Sequence, residues 1–216
     1  MKRYVALDIG NVLCKINLKD FISDISERLN ISTLEVSACI SRSQRLLDSG
    51  LVNMKEILEG EFHIKSSVVV KDLLHSWNMN VLNFDHDMFE FFTEISNNHD
   101  LHIALLSNVG FEHTKVIDSY LKMLNTQVWK EAIRYFSCEV GVRKPQSLYY
   151  QSFLQRYPKF YGCVYLDDLP DNLIMGSEFG LQSVEFNLDK ISSSEERDSM
   201  LKQIENMILN PVEKKN

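Results

Sequence analysis

No stretch of the chain is apolar for long enough to span a bilayer, and Met1-Lys2-Arg3 precedes an apolar run of strand length only, too short for the hydrophobic region of a signal peptide. A soluble, cytoplasmic protein with no membrane partner is expected. Cys14, Cys39, Cys138 and Cys163 are scattered without any Cys-x-x-Cys spacing, which predicts four reduced, mostly buried thiols rather than a zinc site or a disulfide framework. There is no long basic run, and the net charge of -7 argues against a nucleic-acid polymer as partner. His63, His75, His86, His99, His102 and His113 form no pair at helical metal-ligand spacing, so they read as surface or packing residues. Internal repeats and low-complexity segments are absent, and nothing in the pattern speaks to oligomeric state.

What is present is an alternation of short apolar runs and amphipathic stretches. The 216 residues suffice for one sizeable domain, or a core with a modest insertion. Tyr4 to Leu7 is continuously apolar, as in a strand covered on both faces, and leaves into a loop up to about residue 17. From 18 to about 77 the pattern is helical, with no strand predicted. Phe21, Ile22, Ile25 and Leu29 share a face, Ser32 and Glu35 form a capping box, Asn53 caps a third helix, and a fourth starts near Ser67 and includes Leu73, Leu74 and Trp77. A helix over 85–96 turns Met88, Phe91, Phe92 and Ile95 inward, and Phe84, Phe89, Phe91 and Phe92 read as core. Leu101 to Leu106 returns as strand. After it come a helix over 113–124, a short strand over 135–140, a helix over 146–157 with Pro145 as its first residue, a strand over 163–166, a helix over 171–179 ended by Gly180, and a last strand over 183–186. Ser193 and Glu196 open a closing helix to about Leu209, and 211–216 should fray. The fold class is α/β, a three-layer Rossmann-like parallel sheet core of 1–17 and 85–216 with a helical bundle of 18–84 inserted in it.

Four of these segments end in residues that can handle a phosphate. Asp8 follows the first strand, Ser107-Asn108 the second, Lys144 sits in Gly141-Val142-Arg143-Lys144-Pro145, and Asp167-Asp168 follows Cys163 to Leu166. In that order they gather a carboxylate, a hydroxyl, an ammonium and an acidic pair where parallel strands stop, the usual place for ligands in open α/β folds. A carboxylate attacks a phosphate poorly until a cation screens the repulsion, and Mg2+ prefers the oxygen donors that Asp8 and Asp168 offer. Lys144 would neutralise the phosphoryl oxygens and Ser107 would donate to them. Arg42 and Arg45, neighbours on the second helix of the insertion, are candidates for substrate recognition.

At these residues the chain resembles the haloacid dehalogenase-like (HAD) hydrolase superfamily. The resemblance rests on Ala6-Leu7-Asp8-Ile9-Gly10-Asn11-Val12, Leu105-Leu106-Ser107-Asn108, Arg143-Lys144-Pro145 and Tyr165-Leu166-Asp167-Asp168-Leu169-Pro170-Asp171-Asn172, and it covers nearly the whole chain. It implies that the helical insertion is a cap of the first type. It implies further that Asp8 is the nucleophile, that the Gly10 carbonyl and Asp168 bind Mg2+, and that Asp167 supports the metal's water shell. Ser107, Asn108 and Lys144 would hold the phosphate or the loops around it, with Asn172 and Asp171 bracing the last motif. The substrate class implied is a small phosphorylated metabolite, sugar phosphates before nucleoside monophosphates. The sequence departs from the commoner family pattern at Gly10, where most phosphatases of the family carry a second Asp as general acid and base. It is similar there to a bacterial branch reading Asp-x-Gly-Asn-Val, and the change favours leaving groups that need little protonation. Two other activities fit the resemblance: hydrolytic dehalogenation, against which Asp167-Asp168 counts, and a phosphate-binding protein in which Gly10 makes turnover negligible.

Overall fold

The computed structural model describes residues 2–211; of the fraying predicted at 211–216, residues 212–216 lie outside the described residues. Five strands, β1 (Arg3–Leu7), β4 (Leu101–Ser107), β5 (Ile133–Phe136), β6 (Val164–Asp167) and β7 (Gln182–Glu185), form one parallel sheet in the order β5-β4-β1-β6-β7. Its central strands β4, β1 and β6 are largely apolar on both sides because both sides are covered. Val5, Leu7, Ile103, Leu105 and Leu166 face one cluster, whereas Ala6, Ala104, Leu106, Tyr135 and Tyr165 alternate into another. The first cluster is closed by α5 (His86–Asn98), α6 (Phe111–Met123), α7 (Gln127–Lys130) and α11 (Ser194–Leu209). The second is closed by α9 (Ser147–Arg156), the 3-10 turn Pro158–Phe160 and α10 (Pro170–Glu178). The result is a three-layer α/β fold of Rossmann type.

Between β1 and α5 the chain leaves this frame. Cys14–Lys15 (β2) pairs antiparallel with Asn83–Phe84 (β3), and between them run α1 (Lys19–Leu29), α2 (Thr33–Asp48), α3 (Met54–Gly60) and α4 (Ser67–Met79). These helices bury their own apolar cluster, built on Phe21, Ile25, Ile40, Leu58, Leu73 and Trp77. The predicted capping box at Ser32/Glu35 forms, and the predicted cap Asn53 forms a second box with Glu56, each satisfying amides left open at a helix start. Among the described residues no helix is long and apolar enough to cross a membrane.

Several elements differ from the sequence pattern. The β2–β3 ribbon occupies ground where no strand is predicted, because two-residue strands fall below the length at which alternation is visible. The strand predicted over 135–140 ends at Phe136. There Ser137–Val140 forms a single helical turn (α8), closed by Gly141 at φ 75° with its N–H on the Ser137 carbonyl. Pro145 does not open α9: it follows a cis peptide bond inside a turn in which the Gln146 N–H reaches the Arg143 carbonyl, and the helix begins at Ser147. On α5 it is Phe89 that is fully buried and Phe91 that is half-buried, because Trp129 of the unpredicted α7 stands 4.6 Å from the Phe89 ring. The four cysteines are buried free thiols, as expected.

Candidate active site

Parallel registry puts the chemistry at one end of the sheet. Leu7 lies opposite Leu105 on one side and Leu166 on the other, so Asp8, Ser107 and Asp167 emerge together at the carboxyl ends of β1, β4 and β6. The Asp8 N–H still donates to the Leu166 carbonyl at 2.8 Å, which fixes where its side chain starts. Asn108 clamps the fourth contributor from across the sheet. Its Oδ1 accepts from the Lys144 N–H and its Nδ2 donates to the Lys144 carbonyl, both at 2.8 Å, which holds the backbone of that loop in place.

Lys144 is buried and spans two carboxylates, its Nζ lying 2.6 Å from Asp167 Oδ2 and 3.1 Å from Asp8 Oδ1. Burial by itself lowers an ammonium's pKa, but Asp167 and Asp8 reverse that and hold Lys144 above its ordinary value. Asp167 also accepts from the Tyr165 hydroxyl (2.5 Å) on Oδ2, and from Asn172 Nδ2 (2.9 Å) and the Leu169 N–H (3.0 Å) on Oδ1. Against the cost of burial, Lys144, the Tyr165 hydroxyl and the Leu169 N–H keep its pKa below the usual carboxylate value. They also occupy both of its oxygens. Asp8 is treated differently: burial pushes it up to about 7 against the pull of Lys144, with Asp167 and Asp168 adding repulsion and the Ser107 hydroxyl offsetting part of it. Burial likewise raises Asp168, which is held by Asn11 Nδ2 at 3.0 Å.

Oxygens of Asp8, Asp167 and Asp168 lie within 4.8 Å of one another. Three carboxylates and one ammonium leave an excess of buried negative charge, and the repulsion adds to the burial that raises Asp8. An oxygen-binding divalent cation such as Mg2+ fits this donor set. Because the donors to Asp167 fill its oxygens, Asp8 and Asp168 are the carboxylates open to such a cation. Gly10 lies beside them in the same cavity, and a Cβ built on it would meet only Ile16 Cγ1 at 3.5 Å and Cδ1 at 3.9 Å. The glycine is therefore not demanded by space at that point.

A cavity of about 360 Å³ opens above this floor. Its roof comes from the inserted helices and from the start of α6. Asp48 of α2, buried, pairs with Arg143 at 3.1 Å and accepts from Gln44 Nε2 at 2.7 Å. Trp77 of α4 stacks on His113 of α6 with ring centroids 4.4 Å apart, and His113 Nε2 donates to the Trp77 carbonyl at 3.1 Å. Burial drives the His113 imidazole down to about 4, so it stays neutral near pH 7. Gly50 at the end of α2 has φ 67°, and a Cβ there would come within 2.3 Å of the Cys138 carbonyl, so the roof is pressed onto the core at that point.

The four sequence segments thus converge, bringing Asp8, Gly10, Ser107, Asn108, Lys144, Asp168 and Asn172 to one cavity, with Asp167 directly beneath. Asp171 does not reach it: the side chain is exposed in the first turn of α10. Arg42 and Arg45 are exposed and do not line the cavity, because the inward face of α2 carries Gln44, Leu47 and Asp48 instead. Sequence reasoning missed Asp48, Gln44 and Trp77. The available signal was an acid falling on the stripe of α2 that otherwise buries Val36, Ile40 and Leu47.

No protein-family model matches the chain. No curated protein matches it either. Solved structures do. A HAD family enzyme from Bacteroides thetaiotaomicron, solved with magnesium and inorganic phosphate, superposes with a TM-score of 0.74 at 15% identity over 90% of this chain and 98% of that one. A predicted HAD-like family hydrolase from Porphyromonas gingivalis gives 0.68 at 18% identity over 94% and 98%. The L-2-haloacid dehalogenase of Xanthobacter autotrophicus, with chloropropionic acid covalently bound, gives 0.57 at 16% identity over 94% and 83%. The chain shares the fold of these HAD family enzymes.

Proposed function

We propose that the chain is a Mg2+-dependent phosphatase that hydrolyses a small phosphomonoester through an aspartyl-phosphate on Asp8. The observation that carries this is Lys144, held between Asp8 and Asp167 beside a third carboxylate, Asp168, at the carboxyl end of a parallel sheet. In this proposal the core is 1–17 and 85–216, and 18–84 is a cap that roofs the site. Asp8 and Asp168, with the carbonyl of Gly10, would hold Mg2+, which supplies the positive charge that lets a carboxylate meet a phosphate dianion.

Lys144 orients Asp8 through Oδ1 and faces the phosphoryl oxygens, and the Ser107 hydroxyl turns from Asp8 to donate to them. A bond forms between an Asp8 oxygen and phosphorus as the bond to the ester oxygen breaks, and the alcohol leaves with a proton taken from solvent, because Gly10 has no side chain to give one. Water then cleaves the acyl phosphate and regenerates Asp8. The neighbour solved with magnesium and phosphate supports the same ligands here. Dehalogenation on carbon would use Asp8 equally, but Asp167 and Asp168 set negative charge where an anionic haloacid would bind.

Phosphate release from a panel of phosphoesters should require Mg2+ and fall by at least about 10³-fold in Asp8→Asn, the scale expected when a covalent nucleophile is removed. Release that survives chelation or that substitution would overturn the aspartyl-phosphate scheme. Halide release without phosphate release would favour the dehalogenase, and binding of Mg2+ and phosphate without turnover would favour a binding protein.

A further inference from the structure

The walls of the cavity say more about the alcohol than about the phosphate. Away from the floor, the lining joins an apolar set, Ile16, Leu18, Leu47, Trp77, Val81 and Ile117, to a few polar side chains. The polar side chains among them are already committed to one another or to backbone: Gln44 and Arg143 to Asp48, and His113 to the Trp77 carbonyl. Among the described residues that line the cavity, the cationic ones are Lys144 and Arg143, and each is paired with a carboxylate.

We propose, resting on the phosphatase reading, that the ester cleaved here carries one phosphate on a compact, uncharged, mainly apolar alcohol, rather than on a sugar or a second anionic group. A sugar brings a hydroxyl at nearly every carbon, and each one buried against Leu47, Val81 or Ile117 without a partner loses its water for nothing. A bisphosphate or a polyphosphate nucleotide would place its second anion beside Asp48, a buried carboxylate whose own cation is already engaged. The neutral state of His113 withholds a further positive charge from the roof. Two buried donors on residues that line the cavity have no hydrogen-bond partner, the Trp77 indole Nε1 and Arg143 Nε. An alcohol with one or two acceptors, such as an ether or carbonyl, would satisfy them. The cavity volume of about 360 Å³, near the lower end for small-molecule sites, must also hold the phosphoryl group and so keeps the alcohol small.

Phosphates of primary alcohols separate this wall preference from leaving-group acidity. Benzyl phosphate, a hexose 6-phosphate and a hexose bisphosphate are assayed with the full chain and Mg2+. Benzyl phosphate should exceed the hexose ester in kcat/KM by about ten-fold or more, mostly through KM, with the bisphosphate lower still. A hexose ester equal to or better than benzyl phosphate overturns the inference. Binding gives a readout that does not depend on turnover: in the presence of Mg2+, calorimetry should show benzylphosphonate bound more tightly than the phosphonate analogue of the hexose ester. Equal or reversed affinities, or no binding of either, overturn the inference. The expected preference without phosphate release from any ester keeps the ligand class and overturns the phosphatase reading alone.

Discussion

On the floor of the cavity most polar side chains come from strand ends or the loops that follow, and charge is set directly against charge: Lys144 touches Asp8 and Asp167, and Asn11 holds Asp168. On the roof the side chains come from α2, α4, α6 and the loops beside the inserted helices, most are apolar, and an ion pair, Asp48 with Arg143, joins the helical insertion to the core. The floor is preorganised electrostatically, by donors that are fixed before any ligand arrives. The roof is preorganised by packing. Damage to the floor should therefore register as uncompensated charge, and damage to the roof as altered packing, altered proton linkage or altered choice of substrate.

The largest effect belongs to the centre of the floor. Lys144→Met leaves two buried carboxylates without their cation and should cost about 3–5 kcal/mol of stability, read from the urea midpoint, besides abolishing turnover. A loss below about 1 kcal/mol would mean that Asp8 and Asp167 find solvent or a proton easily, and that the floor is less closed than its geometry implies.

On the roof the corresponding handle is His113, and its sign is opposite to that of a paired histidine. Its pKa in the folded chain, about 4, lies below the unfolded value of 6.5, so the unfolded chain binds the extra proton in between. The stability linked to neutral His113 is fully present above pH 6.5 and is lost as pH falls toward 4, by about 3 kcal/mol over the window. Urea midpoints at pH 7 and pH 4 should show this extra loss in the wild-type chain and not in His113→Gln. If the two proteins lose stability in parallel, the stacking of His113 under Trp77 is not closed to water.

The same contrast explains what could be read in advance. Asp8, Ser107-Asn108, Lys144 and Asp167-Asp168 were legible because a polar residue that ends an apolar strand stands out locally, and a parallel sheet aligns its strand ends without further information. Asp48 was not, because its meaning depends on Arg143, far along the chain, and Arg42 and Arg45 drew attention by charge although their side of α2 faces solvent. The core layers followed from continuous apolar strands. The β2–β3 ribbon and α7 did not, since two and four residues carry no periodicity, and at 137–140 the apolar character of a strand was spent on a single helical turn.

Within the floor itself, the neighbouring acids should separate in a metal titration. Asp168→Ala removes a carboxylate with room for a cation, whereas Asp167→Ala removes one whose oxygens are filled by Lys144, Tyr165, Asn172 and the Leu169 N–H. Mg2+ affinity should fall more in Asp168→Ala, with Asp167→Ala limited to about 10- to 100-fold and accompanied by a loss of stability that Asp168→Ala lacks. The reverse order in the titration would exchange their roles.

The smallest expected effect lies where floor meets roof, at Gly10. Without a side chain there, the leaving alcohol takes its proton from water, so wild-type rates should depend steeply on leaving-group acidity, with aryl phosphates ahead of alkyl ones. Gly10→Asp has room at its Cβ, since the nearest atom, Ile16 Cγ1, lies 3.5 Å away. The new carboxyl would enter a cavity that already holds Asp8 and Asp168, and their repulsion favours its protonated form, the form a general acid needs. The substitution should therefore raise turnover of alkyl esters by about ten-fold, short of the 10²–10⁴ of an evolved acid, while leaving aryl esters nearly unchanged. A shallow slope in the wild-type chain would mean that a proton already reaches the leaving oxygen from elsewhere. Asp48 is the carboxylate on the roof, and its burial raises its pKa against the opposing pull of Arg143, so Asp48→Asn in the same series would then show whether it is the source. If that variant steepened the slope, the roof would supply what Gly10 lacks; if it did not, the proton would reach the leaving oxygen from a group other than Asp48.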